Sequence, residues 1–157
     1  ADFNTGAALY GQEKYEETIQ ASLELDEECE QTWILIGDIR SSQNDLAGAL
    51  EAYNEALAIR EDCAVRRAVG RILVQRSNWD EAADSLETAL AECDRSGVAW
   101  ELYHLIAIAY GNQGRLTQAM EAAETALRLA PESQKPAIQQ VIDQLEARGQ
   151  PQPAVAP

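Results

Sequence analysis

The apolar residues of this chain fall in short runs at steps of three and four. Between Trp33 and Ile59, Trp33, Ile36 and Gly37 lie on one side of a polar break at Ser41 to Asp45, and Ala49, Tyr53, Ala56 and Leu57 lie on the other. Such steps place each set on one helical face, so the stretch predicts two antiparallel helices joined by a turn, with Asn44 or Asp45 capping the second. Small residues at Gly37 and Ala49 let the pair approach closely, while Trp33, Ile36, Tyr53 and Leu57 fill the space beside it. One hairpin cannot bury its apolar face alone, so the pattern should recur.

It does. About 33 residues on, Val69, Gly70 and Leu73 restate the first half, and Trp79, Ala82, Leu86, Ala89 and Leu90 the second, with Asn78 and Glu81 spaced as a capping box. A further copy runs through Tyr103, Ile106, Ala107, Tyr110, Gly114, Ala119, Ala123, Ala126, Leu127, Leu129 and Pro131. Upstream, Gly6, Leu9, Tyr15, Thr18 and Ile19 form a degenerate first copy.

This spacing resembles the tetratricopeptide repeat (TPR) over residues 2–132. The resemblance implies an all-α, right-handed solenoid of about four hairpins, at 2–28, 30–62, 64–94 and 97–132. Arg40 and Arg66 depart from it by standing where aromatics are usual, and Glu61 and Asp94 replace a closing Pro. The extra residues of the longest interval fall in the loop at 93–97. Beyond Pro131, Ala137, Ile138, Val141, Ile142 and Leu145 make a single apolar stripe. That stripe predicts a capping helix over 133–149, with Pro136 tolerated in its first turn, followed by a flexible Pro-rich tail at 150–157.

Composition narrows the function. A net charge of −15 at pH 7 argues against nucleic acid and against direct contact with an anionic membrane; it is read first as a solvated acidic face that keeps an extended surface soluble, and second as a field that speeds encounter with a basic partner. No apolar run is long enough to cross a bilayer. The chain opens with Ala-Asp-Phe and reads as a piece excised from a longer protein, which leaves the compartment open with the cytoplasm as default. Three cysteines are too few for a disulfide framework. Cys29 and Cys63 fall at equivalent ends of neighbouring repeats, where stacked helices lie about 8–10 Å apart, beyond the roughly 7 Å a disulfide tolerates, so both are expected as thiols. With one His and no paired Cys spacing, neither a metal nor a cofactor is expected.

No catalytic residues emerge. His104 stands without a nucleophile motif or a phosphate-binding loop, and carboxylate pairs such as Glu16/Glu17 lie on helix surfaces. The resemblance implies instead that the first helix of each hairpin lines a concave groove for a peptide or a partner protein segment. Carried over residue by residue, that face holds Phe3, Ala7 and Tyr10, then Ile34, Asp38 and Ser41, then Arg67, Arg71 and Gln75, then His104, Ile108 and Asn112. Arg67 and Arg71 are one turn apart and, with His104, are expected to receive an acidic side chain; pairing with nearby Glu or Asp is the plain alternative. The family's chaperone-type carboxylate clamp is not expected, because its places carry Phe3, Ala7, Leu35, Ala64 and Ala68. Trp33 and Trp79 are expected to be buried.

The expected function is therefore a non-enzymatic protein-interaction module. The alternative is a soluble assembly or oligomerisation tail of a larger bacterial membrane or envelope protein, with homo-oligomers formed through the capping helix or the groove.

Overall fold

The computed structural model describes residues 14–21, 29–93 and 97–149. Among the described residues there are eight helices and no strand: α1 (14–21), α2 (Glu30–Ser42), α3 (Leu46–Ile59), α4 (Cys63–Gln75), α5 (Trp79–Cys93), α6 (Ala99–Asn112), α7 (Leu116–Leu129) and α8 (Lys135–Gly149). The fold class is the all-α solenoid of hairpins expected from the spacing. The expected helix over 2–12, the loop residues 94–96 and the tail at 150–157 lie outside the described residues, as do Phe3, Ala7 and Tyr10.

Three hairpins are closed by one turn used three times. Asn44, Ser77 and Gly114 take positive φ angles of 61°, 60° and 80°. The amide after each donates back to a carbonyl in the last turn of the preceding helix: Asp45 to Arg40, Asn78 to Leu73 and Arg115 to Tyr110, each at 2.9 Å. This satisfies carbonyls that a helix end leaves orphaned. Glycine adopts that conformation freely, asparagine tolerates it, and serine at 77 carries a steric cost. Beyond the first turn, the Asp45 carboxylate accepts the Gly48 amide at 3.0 Å and pairs with Arg40 at 2.9 Å. Beyond the second, Asn78 contributes its own carbonyl, which accepts the Ala82 amide at 2.9 Å.

The chain forms two compact units that divide between Val69 and Gly70, within α4. In the first unit, Ile19, Ile36, Ile39 and Ala52 form a buried cluster with Trp33 against it. A Cβ placed on Gly37 would run into the ring of Tyr53, which is buried and whose hydroxyl donates to Asp38 Oδ1 at 2.6 Å. Glu30, at the head of α2, is buried and pairs with Arg60 at 2.6 Å.

In the second unit, Gly70 meets Leu86, whose Cδ2 would lie 2.5 Å from an added Cβ, and Leu86 is fully buried. Helix α6 packs on α5, α7 and α8. Ile138, Ile142 and Leu145 bury one face of α8, while Gln139, Gln140, Asp143, Gln144 and Glu146 stay exposed on the other.

Two expectations need correction. Trp33 and Trp79 are half-buried rather than buried: Trp33 covers the isoleucine cluster from its side, and Trp79 is the first residue of α5, at the margin where the turn ends. Cys63 is disulfide-bonded, not a thiol. Cys29 is the free cysteine among the described residues, as expected, so Cys63 is not bonded to its repeat equivalent.

Two outcomes follow from the packing. Gly37→Ala should cost roughly 1–3 kcal/mol in urea unfolding, because the Tyr53 ring is anchored and cannot yield, whereas Gly149→Ala, with nothing within 4 Å of the added Cβ, should be neutral or better; equal effects at the two sites would refute the close-approach argument. Asp45→Ala should cost about 0.5–2 kcal/mol at neutral pH through the lost cap. The Gly48 amide, and then Arg40, hold the Asp45 carboxyl below its usual 3.8, so its contribution is present above about pH 4 and is lost as the pH falls further. The gap between variant and wild type should accordingly shrink in acid, and a gap independent of pH would sink this assignment.

Candidate protein-binding faces

The residues expected to line a groove lie on the first helices of the hairpins. On α2, Ile34 and Ser41 are half-buried, Asp38 is exposed, and Leu35 keeps 43% of its surface exposed. Asp38 is not a free carboxylate, since it accepts the Tyr53 hydroxyl and so ties α2 to α3. Arg67, half-buried on α4, is also engaged within the protein.

In the second unit, α4 contributes Arg71 and Gln75, both exposed, and α6 contributes His104 and Ile108, both half-buried, with Asn112 exposed. Arg71 donates to Glu101, the residue one turn before His104. Glu101 thus joins Arg71 and His104 in one cluster, and the open cation expected at Arg71 is already met by an internal carboxylate. Arg66 is spent in the same way on Glu61, whose carboxyl it holds below the usual range. Asn112 turns back on its own helix and donates to the Ile108 carbonyl at 2.8 Å.

His104 is the group with the most unusual surroundings. Its Nδ1 is buried and has no hydrogen-bond partner. Burial pushes its pKa below 6.5, and the nearby Glu101 carboxylate only partly opposes this, so the imidazole is neutral at pH 7. Spacing alone could not reveal Glu101, because its partner lies thirty residues away in sequence. The available signal was that Glu101 precedes His104 by one turn on the same helix. Gln113 was also missed: its Nε2 donates to the Trp79 carbonyl at 3.2 Å and to Asp80 Oδ1 at 2.8 Å, linking the turns of two successive hairpins.

Comparisons with known proteins agree with this architecture. Three tetratricopeptide repeat models match in succession, at residues 30–63, 66–97 and 100–133. No curated protein matches the chain by sequence. Among solved structures, a MamA RS-1 double mutant superposes with a TM-score of 0.75 at 17% identity, covering 92% of this chain and 81% of that one. MamA residues 41-end from Desulfovibrio magneticus RS-1 gives 0.70 at 16%, covering 88% and 85%. YrrB, described as a TPR protein with an unusual peptide-binding site, gives 0.74 at 16%, covering 92% and 74%. At these identities the likeness speaks to the fold, while the successive repeat matches speak to ancestry: the chain belongs to the tetratricopeptide repeat family.

Proposed function

We propose that this chain is a non-enzymatic interaction module whose first helices present their exposed faces to a peptide or partner protein segment. One observation carries the reading. On α6, Leu102, Ile106, Ala109 and Tyr110 are buried, yet Ile108 and His104, one turn apart, remain half-buried beside exposed Asn112. An isoleucine left half-covered next to a neutral imidazole suits an apolar side chain of a partner. Ile34 and Leu35 offer a similar surface on α2 of the first unit. The peptide-binding site ascribed to YrrB supports a peptide as the partner class.

An acidic partner is the less favoured chemistry. Its carboxylate would have to displace Glu101 from Arg71, exchanging one ion pair for another with little net gain. Apolar contact at Ile108 and Ile34 therefore leads recognition, with Arg71, Gln75 and Asn112 as the polar rim. The assembly-tail alternative draws no support from α8, whose outward face is polar.

Peptides selected from a display library against the intact chain should bind Ile108→Glu at least tenfold more weakly, about 1.4 kcal/mol, and should bind Glu87→Lys, on an exposed part of α5, as well as wild type. Undiminished binding by a folded Ile108→Glu variant would falsify the assignment.

The neutral imidazole has its own signature. Because burial lowers the folded pKa of His104, the unfolded chain takes up a proton below about pH 6.5 that the folded chain resists. Stability should be full above that pH, fall as the pH drops through the window below it, and level off beneath the folded value. The urea midpoint of wild type should thus fall further between pH 7.5 and about 5 than that of His104→Gln. Identical slopes would show that His104 is not buried as described.

A further inference from the structure

Helix α7 faces inward with its smallest residues. Ala119, Ala122, Ala123 and Ala126 are buried, which leaves the longer side chains of its last two turns to the other side. There Glu124 and Arg128 are exposed and Leu127 is half-buried, and with Pro136 and Gln139 of α8 they line an open groove of about 560 Å³. The groove's other charges, Lys135 and Glu132, pair with each other. Glu124 and Arg128 stand one turn apart, yet among the described residues neither has a hydrogen bond or an ion pair.

Opposite charges four residues apart on a helix form a pattern that is its own complement. When a second α7 lies antiparallel across the first, a two-fold axis beside Leu127 brings Glu124 of each copy to Arg128 of the other, and the two leucines meet near the axis. Other partners fit less well. One that carries a single sign of charge places a like charge on Glu124 or on Arg128, and a purely apolar one covers both without pairing either. A second copy satisfies both groups and leaves the Lys135–Glu132 pair intact. We infer that this stripe of α7 is a contact at which two copies of the chain associate antiparallel, as a transient dimer. Two exposed ion pairs around one apolar contact make a small interface, and interfaces of that size are weak. Because the stripe lies on a second helix, the inference is independent of the first-helix faces proposed above.

The test uses the whole chain at about 0.15 M salt, where repulsion between two chains of charge −15 is screened beyond about 8 Å. Sedimentation equilibrium from about 10 µM to about 1 mM should show a mass rising from one chain towards two. Glu124→Lys and Arg128→Glu each set like charges against one another across the axis, so either alone should weaken association at least about tenfold. An equimolar mixture of the two variants restores opposite charges at both contacts, as does the double variant Glu124→Lys/Arg128→Glu, and both should associate within about threefold of wild type. Recovery in these two excludes unfolding as the cause of the loss. A wild type that stays a single chain up to about 1 mM, single variants that dimerise as wild type does, or a failure of the mixture or the double variant to recover would each overturn the inference. So would a dimer that survives on a denaturing gel without reductant, since a disulfide would then hold it.

Discussion

Two helices can lie close only where one of them surrenders its side chain. Gly37 does so for the ring of Tyr53, and Gly70 does so for Leu86, at the matching place one repeat later. Neither neighbour is able to retreat, since Tyr53 is buried with its hydroxyl held by Asp38, and Leu86 has no exposed surface. The spacing within each hairpin is thus set by a contact between backbone and a large buried side chain. The residues one position beyond each glycine, Asp38 and Arg71, have their backbone placed by the same contact, and both are engaged within the protein, Asp38 by the Tyr53 hydroxyl and Arg71 by Glu101.

The turns supply the complementary restraint. The same left-handed residue and the same backward amide bond recur at Asn44, Ser77 and Gly114. Their separations track those of Gly37, Gly70 and Ala107, so the unequal repeat lengths do not arise inside the hairpins. Gln113 then reaches across to the Trp79 carbonyl, tying the third turn to the second. Close approach fixes how near the helices lie, and the turns fix where along their length they meet.

Much of this was legible in the sequence because it is periodic. Gly37 and Gly70 announce themselves as small residues in an apolar face, and Asn44 or Asp45 as a cap before an apolar run, of which Asp45 caps and Asn44 makes the turn. What was not legible lies between residues whose separation carries no period of its own. Arg71 looked like a free cation because its neighbours in sequence are apolar or basic, yet Glu101 reaches it from the next first helix. Cys63 reads as a thiol from repeat spacing because its repeat equivalent, Cys29, is free, and its disulfide follows no repeat period. The faces at Ile34 and Ile108 could be placed by register, but how much of each side chain the fold leaves uncovered is a matter of packing, and no spacing rule reports it.

A hairpin of this kind needs a neighbour to cover its apolar face. Helix α8 spends its three buried residues, Ile138, Ile142 and Leu145, on the array behind it, and Leu145 leans over Gly111 of α6. It turns glutamines and acids outward. Whatever packs against α8 from outside therefore meets mainly amide and carboxylate groups, a surface of a different kind from the apolar stripe that the same helix spends inward.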